Sequence, residues 1–464
     1  MNGIVLIALA FVSVFFVTLN DWRRGLCLCI AWGYFYGILK SNYVYSWGHF
    51  IYDGAVAGLY AGVLFRPPLA IDRLLDSSIK GWLKWLIGWP LFLFFIPLQH
   101  FLIQAVGLRG NVLFMPMALF GAWLGDSGRR QMALTLCVMN LVALAFASAE
   151  FSMGVEVFYP LNEATEIIYK SQDLAGENFR IPAIFANAHS YGGTMAMSLP
   201  WILGGLFQRA RNPLDSYILG AGLLAAGMGV FLCGARVPVV LAGLMLGLGL
   251  MTRRLSLPGV VFLCVAAVVL FNMVQGEERM QRFATLQDTE AVAGRISGSV
   301  NEHFLDLLTE YPLGNGLGGG GTSIPFFLQH LLYNRVGLEN EYSRVLVEQG
   351  LVGLLIFLGF VLWFFTRVLD PREDCYPTRR LLWYSAAITL GTSFIGVGLM
   401  TSIPGTSLVF LAIGFASAGS ERRRAAFSEW DGEEASRDET GWGALEFFRL
   451  ILLVSRSIAI RTTK

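Results

Sequence analysis

The chain has 464 residues, of which 55% are hydrophobic and only 14% are charged. This balance excludes an ordinary soluble globular domain, in which about a quarter of the residues are charged, and it indicates a polytopic membrane protein. The formal net charge of +1 gives no sign of a nucleic-acid partner.

Apolar runs of helix length follow one another along the chain and alternate with short basic stretches. The predicted spans are residues 2–19, 25–39, 48–65, 85–103, 110–125, 131–149, 188–208, 214–232, 237–251, 256–275, 345–366, 381–398 and 404–418. Lys and Arg concentrate in cytoplasmic loops, and this arrangement puts all the basic stretches on one side. The sequence therefore predicts an all-α polytopic membrane protein of about 12–14 transmembrane helices, with the N-terminus outside and the tail inside.

These spans form one predicted transmembrane domain over residues 1–418, with large outer loops at 150–187 and 276–340. Residues 419–464 are predicted to be a cytoplasmic tail, in which a charged stretch precedes an amphipathic helix on the membrane surface. The six cysteines form no CxxC pair and no cluster with histidine. No disulfide framework, metal site or cofactor is therefore expected.

Three arginines lie on the predicted outer face, where the charge rule does not require them. They are Arg180, Arg236 and Arg295. Guanidinium groups bind phosphate or diphosphate through paired hydrogen bonds. Taken singly, each is better explained as a structural ion pair or as an interfacial side chain, but three on one face favour an anion site. Arg236 is the most informative, because its turn lies between two strongly apolar helices.

The segment "GNGLGGGG" contains a formal GxGxxG match, but no strand precedes it. A dinucleotide site is therefore rejected, and a flexible or close-packing turn is predicted at Gly314–Gly321. His189, in "FANAHSYGG", also faces outwards. A lone histidine at a helix end is more often structural than catalytic.

Four segments, in order, resemble the superfamily of O-antigen ligases and Wzy-type O-antigen and exopolysaccharide polymerases. They are "RIPAIFANAHSYGGTMAMSLP", "GARVPVVLAGLML", "GRISGSVNEHFLDLLTEYPLGNGLG" and "VGLENEYSRVLVEQGLVGLLIFLGF", and the resemblance covers roughly residues 130–415. The last segment is the most specific. The ligase pattern of His, Asn/Ser/Gln, nine residues, Gly, two residues and Gly is met at Asn340, Gly350 and Gly353, but Glu339 stands where the pattern has His.

The resemblance implies a GT-C-like architecture and a multi-pass protein of the bacterial inner membrane whose active face is periplasmic. The implied activity is metal-independent glycosyl transfer from an undecaprenyl-diphosphate-linked glycan, without a nucleotide sugar. The implied partners are this lipid-linked glycan, membrane lipids and a chain-length regulator or flippase of the same pathway.

The resemblance also implies roles for individual residues. In such a reaction an acceptor hydroxyl attacks the anomeric carbon and the lipid diphosphate leaves, so the site needs cations and a base. The implied base is Glu339, with His189 in reserve. The implied substrate-binding residues, for the diphosphate or the glycan, are Arg180, Arg236, Arg295, Asn340 and Arg344.

Alternatives remain open at this point. Glu339 can instead form an ion pair with Arg335 or Arg344 at a helix N-terminus. The missing ligase histidine favours a polymerase over an O-antigen ligase, which transfers the glycan to lipid A core. If the protein were a lipid-linked glycan transporter, internal repeats and charges near the bilayer midplane would be expected. The predicted spans have neither. A scaffold protein that recruits partners through its tail is the third class.

Overall fold

The chain is described by a computed structural model. The residues it describes are 3–43, 46–68, 77–169, 179–208, 212–252, 294, 304–321, 324–334, 336, 338, 340–367, 369, 371, 375–394 and 402–418. All regular secondary structure in these ranges is helical. The predicted span 256–275 and the predicted tail 419–464 lie outside them.

The α-helices of the described residues are numbered in chain order. They are α1 (Gly3–Asn20), α2 (Trp22–Asn42), α3 (Ile51–Phe65), α4 (Ser77–Leu93), α5 (Phe101–Val112), α6 (Met117–Trp123), α7 (Asp126–Met153), α8 (Glu166–Tyr169), α9 (Ala188–Phe207), α10 (Pro213–Leu232), α11 (Arg236–Thr252), α12 (Phe304–Glu310), α13 (Glu341–Phe365), α14 (Tyr376–Thr392) and α15 (Gly405–Ser417). Short 3₁₀ helices cover Ser46–Phe50, Val155–Val157 and Phe326–Leu331.

Five segments within the described ranges are long and apolar enough to cross a bilayer. They are Gly3–Asn20, Phe101–Trp123, Gly128–Met153, Pro213–Leu232 and Glu341–Phe365. Two further helices in the described ranges are apolar but shorter, Arg236–Thr252 and Gly405–Ser417. These helices fit a multi-pass helical membrane protein, which is the class that the composition predicts.

Two predicted spans are wrong in their bounds. The prediction of one helix over residues 85–103 fails because α4 ends at Leu93 and α5 begins only at Phe101. Pro97 lies in the break, and proline has no amide hydrogen to continue a helix. The predicted span 110–125 begins too late, since its apolar segment starts at Phe101 and turns between α5 and α6.

Close packing of α1 against α3 depends on glycines spaced four residues apart. Gly54, Gly58 and Gly62 lie on one face of α3, where a Cβ atom would collide with Ile7, Phe11 and Thr18, respectively, on α1. Small residues at this spacing let helix backbones approach closely in a membrane, where dispersion contacts drive association. The first and third helices therefore pack as a tight pair.

Helices α9 and α14 run antiparallel and define the end of the bundle that matters below. Thr378 Oγ1 donates a hydrogen bond to the carbonyl oxygen of Gly204 (3.3 Å). About three turns further along α14, Thr389 Oγ1 donates to Met197 Sδ (3.4 Å). Helix α14 therefore ends where α9 begins, and this end of the bundle is called the His189 end.

Candidate functional site

The loop 179–187 leads into α9 and is held from both sides. The backbone N–H of Ala183 donates to Glu150 Oε2, on α7 (2.9 Å). Tyr159 Oη bonds to the carbonyl oxygens of both Ala183 and Phe185, and the backbone N–H of Ile38, on α2, donates to the carbonyl of Ile184 (3.1 Å). These buried hydrogen bonds fix the loop's backbone.

The backbone conformation of Ala183 depends on these hydrogen bonds. Its φ is +51°, in the left-handed region that non-glycine residues rarely occupy. Such a conformation persists only where surrounding contacts hold it in place. Burial raises the pKa of Tyr159 well above 10, so its hydroxyl stays protonated and remains a donor to the loop.

Two of the sequence-predicted residues meet on this loop and helix. Arg180 Nη1 lies 3.4 Å from His189 Nε2. Asn187 caps α9, because its side-chain oxygen accepts a hydrogen bond from the Ser190 amide (2.8 Å). His189 is therefore held in the first turn of α9 and is exposed, and Arg180 is half-buried beside it.

The turn that carries Arg236 packs against the same part of α9. A Cβ atom at Gly192 would collide with Cys233 and Pro238, the residues that flank the turn. Burial raises the pKa of the Cys233 thiol to about 12, against the opposing effects of the Ala235 amide and the Arg180 charge. Arg180 thus acts electrostatically on the α10–α11 turn, and the predicted cations Arg180 and Arg236 lie in one region.

Asn340 lies at the His189 end as well. The Glu341 amide donates to the carbonyl of Ser393, just after α14 (3.0 Å). Tyr342 stacks on Phe394, with ring centroids 3.7 Å apart and an interplanar angle of 9°. Since α14 ends at the His189 end, α13 begins there.

Arg344 is completely buried, whereas a residue that contacts substrate directly is expected to be accessible. Its side chain is 0% exposed and forms ion pairs with Glu341 and Glu348 on the same helix. Arg344 Nη1 also donates to Asn111 Oδ1, on α5 (3.3 Å). This geometry gives Arg344 a structural function that joins α13 to α5, whereas direct contact with substrate stays a prediction.

The glycine-rich segment packs against these helices. Gly314, Gly316, Gly318 and Gly321 all have positive φ, between +71° and +87°. A Cβ atom at Gly318 would lie 2.7 Å from the carbonyl oxygen of Ile103, on α5. The segment is a close-packing turn, one of the two forms predicted for it.

Glu150 is a site residue that sequence reasoning missed. It is fully buried near the end of α7, and its Oε1 atom has no hydrogen-bond partner within the described part of the chain. The available signal was an ionisable residue at the edge of a strongly apolar run, which marks a functional or structural role in membrane proteins.

Replacing Glu150 with leucine is expected to free the loop. The Ala183 amide would then be buried without an acceptor, at a cost of about 1–3 kcal/mol. Hydrogen–deuterium exchange measured on a peptide that covers residues 180–187 should become about 10- to 100-fold faster. Glu150→Gln keeps a side-chain oxygen at the same position and is the matched control. Unchanged exchange in Glu150→Leu would contradict this role.

Asn340 has a local function that is separable from any contact with substrate. Its Oδ1 accepts the Ser343 amide at 2.7 Å and caps α13. Asn340→Ala should lower the free energy of unfolding by about 0.5–2 kcal/mol, whereas Asn340→Asp retains the cap. Thermal unfolding of both variants in detergent measures the difference. An alanine variant as stable as wild type would exclude the capping role.

Two predicted site residues, Glu339 and Arg295, lie outside the described residues. Among the residues that are described, no group of three or more His, Cys, Asp or Glu side chains could hold a metal ion. The structure thus brings together Arg180, His189 and the turn at Arg236, with Asn340 at the same end of the bundle.

Comparison with known proteins adds no family assignment, since the chain matches no family model and no curated protein.

Proposed function

We propose that this protein is an inner-membrane glycosyltransferase that polymerises undecaprenyl-diphosphate-linked oligosaccharide repeats on its periplasmic face. The observation that carries the proposal is the meeting of Arg180 and His189 beside the Arg236 turn. These residues come from two of the segments that resemble the polymerase superfamily. Under the proposal, the protein has a GT-C-like architecture of about 12–14 transmembrane helices, and the His189 end faces the periplasm.

The chemistry follows from these side chains. The hydroxyl oxygen of the acceptor sugar forms a bond to the donor's anomeric carbon, while the bond from that carbon to the diphosphate oxygen breaks. Arg180 and Arg236 stabilise the negative charge that develops on the departing lipid diphosphate. A base takes the hydroxyl proton. Glu339 is the proposed base from its place in the Asn340/Gly350/Gly353 pattern, and His189 is the alternative.

The test is glycan assembly in cells that lack the endogenous gene and are complemented with variants at matched membrane levels. Arg180→Ala and Arg236→Ala should accumulate single lipid-linked repeats. Arg66→Ala is a matched control, because Arg66 follows α3, away from the His189 end, and donates to the Leu19 carbonyl (2.7 Å). It should assemble normal polymer.

The same assay separates the alternatives. Polymer that forms on the lipid carrier but fails to reach lipid A would assign a ligase. Normal glycan in both arginine variants would reject the proposed function. Glu339→Gln and His189→Ala are compared to identify the base. Loss of the base should block glycan assembly, while the variant protein still binds the lipid diphosphate.

A further inference from the structure

A second polar cluster lies at the His189 end, between the end of α2, the start of α3 and α5. Arg109, on α5, forms a two-pronged ion pair with Asp53, on α3, in which Nη2 lies 2.7 Å from Oδ1. Arg109 Nη2 also donates to the carbonyl of His49 (3.5 Å), and so does Tyr36 Oη (3.3 Å). Within the described ranges, Arg109 is the cation that forms an ion pair with Asp53.

Lys40 is the uncompensated charge of the cluster. It lies in the last turn of α2, is half-buried, and its Nζ lies 5.8 Å from the centre of the Tyr36 ring. No carboxylate in the described ranges forms an ion pair with it. Partly burying an unpaired ammonium group is costly unless an anion binds to it.

His49 adds an unused hydrogen-bonding group. Its Nε2 atom is buried and has no hydrogen-bond partner among the described residues. The ring packs against both Phe326 and Phe327, with centroid distances of 5.5 Å to each. Burial, and then the neighbouring charges of Lys40 and Arg109, lower the pKa of His49. His49 is therefore neutral near pH 7, and the cluster has one net positive charge.

The cluster lies next to the loop of the first site without being part of it. A Cβ atom at Gly37 would collide with the backbone of Phe185 and Ala186. Lys40 is three residues beyond Gly37, which is about 4.5 Å further along the helix. Helix α2 thus joins the second cluster to the loop that carries Arg180.

We propose that Lys40, Arg109 and His49 form a second anion site, which binds the phosphate group of a membrane lipid. The inference rests on the proposed function, under which this lipid is the acceptor. A polymerase has to hold two lipid diphosphates at once, and Arg180 and Arg236 serve the donor. Lys40 supplies the net positive charge, Arg109 supplies a further guanidinium donor beside its pair with Asp53, and His49 Nε2 supplies one neutral hydrogen bond.

The experiment counts bound lipids on the purified full-length protein by native mass spectrometry, with undecaprenyl diphosphate as the probe. Wild type should bind two molecules. Lys40→Met and Arg236→Ala should each retain one high-affinity molecule, and the double variant none. The affinity of the affected site should fall about 10- to 100-fold. Lys40→Arg keeps the cation and should restore binding, and Lys84→Met, an exposed lysine on α4, should bind as wild type does.

Each contrary outcome has its own meaning. If binding depends on Arg236 but not on Lys40, the second site is wrong while the proposed function stands. If wild type binds no undecaprenyl diphosphate, both fall. A second arm adds phosphatidylglycerol at equal concentration. Its displacement of the Lys40-dependent molecule would identify a site for bulk phospholipid and would overturn the acceptor assignment.

Discussion

Arg344→Met is expected to lower the free energy of unfolding by about 3–5 kcal/mol. Removing the guanidinium leaves the buried carboxylates of Glu341 and Glu348 without their cation. It also removes a donor to Asn111. Thermal unfolding in detergent and the yield of monodisperse protein measure the loss.

The control variant replaces all three charged residues of the buried network. Arg344→Met combined with Glu341→Gln and Glu348→Gln removes the cation and both carboxylates together. Exchanging a buried ion pair for neutral groups of similar size is often close to neutral in stability. The triple variant should therefore be more stable than Arg344→Met alone. If Arg344→Met is as stable as wild type but inactive, Arg344 contacts substrate and its structural function is wrong.

Part of this ion-pair network was predictable from sequence. Glu341 and Glu348 lie three residues before and four residues after Arg344, so all three side chains share one helix face. The resemblance instead drew Arg344 into substrate binding. The contribution of Asn111 was not predictable, because it comes from a helix 233 residues away in the chain.

The helices themselves were largely predictable, since long apolar runs have to become helices in a bilayer. The prediction 188–208 agrees with α9, Ala188–Phe207, within one residue at its end. The prediction of a single helix over residues 85–103 failed, because hydrophobicity continues there but Pro97 interrupts the helix. Hydropathy reports which residues prefer lipid and does not report where a helix breaks.

The sequence pointed to the side chains of the candidate site but not to the residues that hold its loop in place. Arg180, Arg236 and His189 were singled out by charge, position and resemblance. Glu150 and Tyr159, which hold the loop, were not, because hydrogen bonds from side chains to a distant backbone leave no sequence pattern. The contact between α2 and the loop was equally invisible, since it depends on the absence of a side chain at Gly37.

Under the proposed function, Gly37→Ala is expected to abolish most glycan assembly by displacing the loop that carries Arg180 and precedes His189. The added methyl group would collide with backbone atoms of Phe185 and Ala186, which cannot rotate away as a flexible side chain can. Inserting a methyl group into a packed contact costs about 1–3 kcal/mol. The loop should move, and the 3.4 Å contact between Arg180 and His189 should open.

Gly220→Ala, on α10, is the matched control, because no atom lies within 4 Å of the position of the added Cβ. It should be neutral or slightly stabilising, since alanine favours a helix by about 1 kcal/mol over glycine. Both variants are compared by thermal unfolding and by glycan assembly in complemented cells. If Gly37→Ala loses stability yet assembles normal polymer, the position of the loop does not control transfer, and the active centre lies away from Arg180 and His189.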